Sequence, residues 1–98
     1  MAFFEFDPPK SAENRRKHGI DFVEAQRLWL DPQAIVEPAK NIMGEERFRL
    51  TAYYQGAFWS AIYNIRENNI RIISVRRARE DEKDRYQAYN RGGTRPEI

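Results

Sequence analysis

The sequence contains no cysteine, a single histidine and only four lysines among its 98 residues. Without cysteine there is no disulfide framework and no thiolate metal site. One histidine leaves little for an imidazole-based metal centre, and the carboxylates fall on expected helices and loops interleaved with cations, so no metal and no cofactor are expected. No apolar run approaches the roughly 18 residues that cross a membrane, and no signal-peptide pattern opens the chain. The expected location is therefore the cytoplasm. No glycine-rich phosphate loop and no GxSxG elbow occur, and Ser11, Ser60 and Ser74 carry no motif of a nucleophilic serine.

What is present is aromatic and arginine-rich. Two Trp, six Phe and five Tyr supply large apolar surfaces for the core of a single small domain. The net charge of +2 identifies no partner, but the charge is unevenly placed. Between residues 66 and 79 five arginines (66, 71, 76, 77 and 79) face one acid, Glu67. Arginine pairs with phosphate through a planar fork, so this bias suits a phosphate-rich ligand; a solvated, salt-bridged surface has the same composition.

The hydrophobic periods predict the order β-α-α-β-β-β-β-α. "FFEFD" (3–7) alternates as a short strand. Asp7 as a cap, Pro8 in the first turn and Gly19 at the left-handed closing position delimit a first helix, whose basic end "RRKH" complements the helix dipole. A second helix starts at Asp21, paired with Glu24 in a capping-box spacing, and stops at Asp31-Pro32. Strands follow over 34–38, 47–54, 57–65 and 70–76, joined by short turns at "QG" and "RENN". A charged helix over 79–91 ends the domain (1–91), and residues 92–98 read as a flexible tail. The expected fold class is α+β, an antiparallel meander sheet with two N-terminal helices and one C-terminal helix packed on one face.

The candidate chemistry lies in the cations. RNA can be cut without a metal when its own 2′-hydroxyl attacks the adjacent phosphorus, and the enzyme then supplies a base, an acid and cations for the crowded phosphorane. Alternating arginines beside aromatics could also hold a single strand by phosphate contacts and base stacking. Each residue has a plainer reading too. Lys17 and His18 suit a helix C-terminus, Arg47 follows Glu45-Glu46 as a surface pair, and Tyr63 alternates with Trp59 and Ala61 as a core residue would. The residues alone lead to a small α+β domain with an arginine-rich edge suited to nucleic acid.

"FEFD" with Lys10 and Asn14, "KHGIDFVEA", "GEERF", "IYNIR", "IRIISVR" and "RRAREDEKDRY" occur in an order that resembles the BrnT family of toxins from type II toxin–antitoxin systems. The resemblance runs from Phe4 to Tyr86. It implies a RelE-like fold, metal-independent RNA cleavage leaving a 2′,3′-cyclic phosphate, and arrest of translation. It also implies a heteromeric complex with a BrnA-type ribbon-helix-helix antitoxin, through which any DNA contact is made. Carried over residue by residue, the resemblance falls on Lys17, His18, Glu46, Arg47 and Arg76 as the catalytic candidates and on Tyr63 and Arg66 as RNA contacts, to which the arginine-rich strands themselves add Arg49, Arg71, Arg77 and Arg79. Within this set Arg47 and Arg76 are the transition-state cations, and Lys17 or His18 the proton-transfer group. Glu82 and Tyr86 read as anchors of the last helix. Val75, where the family usually has alanine, and Arg49, where an apolar residue is expected, depart from the pattern. The alternative is a non-catalytic nucleic-acid-binding module.

Overall fold

The computed structural model describes residues 3–92, so the segment expected as a tail lies outside the described residues apart from Gly92. In chain order the elements are β1 (Phe4–Glu5), α1 (Pro8–His18), α2 (Phe22–Ala25, continuing as a 3-10 turn over Gln26–Leu30), β2 (Ile35–Pro38), β3 (Phe48–Tyr54), β4 (Ala57–Arg66), β5 (Asn69–Arg77) and α3 (Glu80–Asn90). The order is the one expected from the hydrophobic periods.

Asp7 occupies the N-cap of α1, yet its side chain makes no capping bond. Pro8 and Pro9 remove two of the free amides that a cap would serve, so the turn closes through the Ser11 amide on the Asp7 carbonyl at 3.0 Å. Gly19, at φ 82°, ends α1 and donates to the Arg15 carbonyl. Asp21 caps α2 as expected, its Oδ1 accepting from the Glu24 amide at 2.7 Å. Two polar side chains buried at the back of α1 tie these pieces together. Ser11 Oγ accepts from the Phe22 amide, and Asn14 bridges the Ile20 carbonyl and the Val75 amide, fastening α1 to the free edge of β5.

Strands β2 to β5 pair antiparallel in sequence order, and β1 joins the far side of β5 in parallel, Phe4 opposite Ile70. The sheet is therefore mixed, not purely antiparallel as expected. Alternation marks "FFEFD" as a strand but does not name its partner, and the unpaired edge of β5 supplies one across the whole domain. The turns Gln55-Gly56 and Glu67-Asn68 have positive φ at both central residues, the backbone that two-residue hairpins need to match strand twist. A bulge at Ile73 shifts the β4–β5 register.

The helices divide between the two faces, which corrects their expected placement on one. Against α1 and α2 the sheet presents Leu50, Ala52, Ala61, Tyr63, Ile72 and Val75, packed on Ile20, Phe22, Ala25 and Leu28. The other face carries Thr51, Ser60 and Arg76 in one row and Glu37, Arg49, Ile62 and Ser74 in the next. Helix α3 covers it, with Tyr86 stacked edge-on against Phe58 and its hydroxyl donating to Asp31. Asp31 also accepts from the Gln33 and Tyr53 amides, so the residue that stops α2 also anchors α3.

Candidate nucleic-acid interface

The row Thr51–Ser60–Arg76 converges on Glu82, a carboxylate of α3 that is only 2% exposed. Its Oε1 accepts from Arg76 Nη1 (2.8 Å), Ser60 Oγ (2.8 Å) and the Arg79 amide (2.9 Å), while Oε2 accepts from Arg76 Nη2 (2.9 Å). Burial pushes the Glu82 pKa up, but the bonds from Arg76, the Arg79 amide and Ser60 outweigh it and hold the group at about 2. The same pairing pushes Arg76 up from an already high value.

The charges continue as a ladder. Arg49 lies 3.4 Å from Glu82 and 3.2 Å from Glu37, and Arg85 bridges Glu37 at 2.7 Å and Asp81 at 3.0 Å. Three arginines and three carboxylates alternate, so the buried charge compensates itself. Sequence spacing could reveal only the Asp81–Arg85 pair; Glu37 joins from a distant edge strand.

Arg76 keeps capacity for a ligand. Of an arginine's five N–H donors, its contacts to Glu82 and the Arg77 carbonyl use three. Glu82 grips the end of the guanidinium, which leaves the Nε–Nη2 edge on a side chain that is 23% exposed. A cation held this way is oriented in advance, and a phosphate can be met by two parallel bonds.

The other expected site residues scatter. Arg66 ends β4, exposed, and Arg71 pairs loosely with Glu5 at 3.8 Å; both share the face of Arg49 and Arg76. Arg77 points to the opposite face, its guanidinium 5.3 Å above the Trp59 ring, and Arg79 is exposed at the start of α3. Arg47 is partnered by Glu45 at 3.3 Å and not by Glu46, which is exposed. Arg47 immediately precedes β3, four residues from the Arg76 row, with its backbone about 14 Å along the sheet and about 10 Å across it from that of Arg76. Lys17, paired with Glu13 at 3.5 Å, and exposed His18 line a hollow of about 240 Å³ with Lys10 and Ser74 against the edge of β5. Tyr63 is not on the surface. It is 7% exposed, stacked between Trp29 and Phe48, and burial pushes its pKa up. Its parity with Ala61 places it on the face that α2 covers, which corrects its reading as an RNA contact.

The profile of a known family, described as "Ribonuclease toxin, BrnT, of type II toxin-antitoxin system", matches residues 6–82. The chain belongs to the BrnT family. No curated protein matches it. The BrnT match runs through Glu82, so it spans Glu37, Arg49, Arg76 and the carboxylate that joins them. Among the described residues of this BrnT chain no group of three or more His, Asp or Glu is placed to hold a metal ion. A type II toxin family implies an antitoxin protein as partner and RNA as substrate.

Among the described residues, two buried side-chain atoms on this face have no hydrogen-bond partner: Arg49 Nε, which lies 3.4 Å from Glu82, and Asn64 Oδ1. Asn64 is 5% exposed, opposite Arg71 and two residues along β4 from the partner of Arg49. Leaving such a group unsatisfied costs about 1–3 kcal/mol. Sequence reasoning passed over Asn64, because an asparagine inside "IYNIR" reads as an ordinary strand position.

Proposed function

We propose that this chain is the toxin of a type II toxin–antitoxin pair and acts as a metal-independent endoribonuclease that arrests translation in the cytoplasm. The family match over residues 6–82 carries this reading, and the presentation of Arg76 by Glu82 supports it. In the proposed reaction the 2′-hydroxyl of a ribose attacks the adjacent phosphorus, the 5′-oxygen leaves, and a 2′,3′-cyclic phosphate remains. The exposed edge of Arg76 meets the phosphorane oxygens as their charge grows, with Arg49 beside it and Arg66 and Arg71 along the strand's path. Lys17 or His18, in the hollow at the edge of β5, handles the proton of the attacking or leaving oxygen. Arg47 and Glu46 act on a flanking part of the strand. The fold is read as RelE-like, and the partner as a BrnA-type ribbon-helix-helix antitoxin that covers the basic face or α3 and alone contacts DNA.

Purified, antitoxin-free protein tested on RNA in EDTA decides the reading, with Arg76→Ala and His18→Ala beside it. Fragments ending in 2′,3′-cyclic phosphate, lost with Arg76→Ala, are expected. Loss with His18→Ala would assign the proton transfer to that residue and not to Lys17. Salt-dependent RNA binding without product, on free RNA and on translating ribosomes alike, would replace the enzyme by a nucleic-acid-binding module.

A further inference from the structure

Among the described residues of the polar sheet face, Asn64 is buried with its carbonyl oxygen unpaired and no carboxylate of the ladder beside it to account for that burial. The residue is 5% exposed, its side-chain carbonyl oxygen accepts nothing, and the ladder that satisfies Glu37, Glu82 and Arg76 ends two residues short of it. Its surroundings are cationic: Arg71 is its register partner on β5, and Arg66 follows on its own strand and face. Among the described residues Arg71 is held by Glu5 alone, at 3.8 Å, and both side chains are about one-third exposed, so the pair is weak. An amide set among movable guanidiniums meets the requirements of a flat, polar heterocycle. The guanidinium planes stack on its faces or hold the phosphates on either side, and the amide reads its edge.

We infer that Asn64 is the base-reading residue of this face and selects adenine in a single-stranded RNA. The inference rests on the RNA-binding part of the function proposed above. An asparagine amide accepts from adenine N6 and donates to N7, a pairing in which both of its polar atoms are used at once. Arg71 swings from Glu5 to the neighbouring phosphate and opens the way to Oδ1. The unpaired acceptor is then a vacancy for the adenine amino group, and the arginines around it supply affinity without choosing a base.

Fluorescence anisotropy with labelled oligoadenylate and oligouridylate tests this on the antitoxin-free protein. The wild type is expected to bind oligoadenylate on the order of tenfold more tightly, as one good bidentate pair gives. Asn64→Ala is expected to level the two affinities, and so is Asn64→Val, which suits a buried strand position and keeps the fold. Equal affinities in the wild type, or a preference that survives both substitutions, would overturn the inference. Cleavage of a mixed-sequence RNA separates it from the reading it rests on. Cutting without adenine at a fixed position removes the role of Asn64 and leaves the ribonuclease. An adenine preference in binding with no cleavage removes the ribonuclease and leaves Asn64.

Discussion

The two faces of the sheet solve the same problem with opposite chemistry. On one, Phe22, Leu28, Leu50 and Val75 exclude water without directional bonds, and apolar side chains of similar volume would serve. On the other, Arg49, Thr51, Ser60, Arg76 and Glu82 are buried or half-buried polar groups that hold only because each has a matched partner. The first face stabilises the protein through packing alone. The second determines where two arginines stand, and the proposed site is the solvent edge of that second face.

Removing Glu82 breaks this comparison most severely. Glu82→Ala leaves Arg76 and Arg49 without their shared carboxylate and is expected to cost about 3–5 kcal/mol in urea unfolding. Adding Arg76→Met to Glu82→Leu should recover much of that loss while abolishing cleavage, which would separate the ladder's part in stability from its part in function. A double variant that still cuts RNA would remove Arg76 from the site. Leu28→Ala, on the apolar face, should lower stability by about 2–5 kcal/mol through a cavity, with cleavage per folded molecule preserved.

Acid titrates Glu82 without deleting its side chain, so its effect is smaller. The folded-state pKa of about 2 lies below the ordinary carboxylate value of 4.5, so the folded state binds fewer protons there. This contribution is fully present above about pH 5 and is lost as the pH falls towards 2. Glu82→Gln should flatten that limb of a stability–pH curve; an unchanged limb would shift the effect to other carboxylates. The smallest effect is expected on the outer surface of α1. Glu13→Ala removes the contacts to Arg16 and Lys17 and should leave the urea midpoint essentially unchanged, since all three side chains are in water and solvent screens the pairs.

These differences bear on what a sequence discloses. Local rules carried far: Gly19, Asp21, the Gln55-Gly56 turn and the strand periods each act within a few residues, and all are where the pattern placed them. The switch of α2 to a tighter turn after Ala25 was not legible, because nothing in "QRLWL" opposes an α-helix. Alternation along β3 separated Leu50 from Thr51, yet both are buried, since period two says which residues share a face and not which faces are covered. The ladder was hidden for a related reason. Glu37 and Arg85 stand 48 residues apart, and charged residues are normally taken for surface until the fold brings their partners. Tyr63 and Asn64 are neighbours on one strand; the sequence pointed to the one that lies in the core and missed the one that lies on the arginine-bearing face.

The parallel pairing of β1 carries a consequence for how the chain reaches its native state. Phe4 finds its partner at Ile70, Asn14 at Val75 and Asp31 at Tyr86, so the contacts that close the domain join its first third to its last. Contacts of such long sequence separation form late and slowly, because the intervening loop must be ordered before they stabilise anything. During synthesis the hairpins β2–β3 and β3–β4 can form as they emerge, but β1 and α1 have no edge to dock on until β5 has been made. A chain interrupted before Ile70 lacks the β5 edge on which its first strand pairs and to which Asn14 fastens α1, and Arg76, still untranslated, cannot be oriented by Glu82.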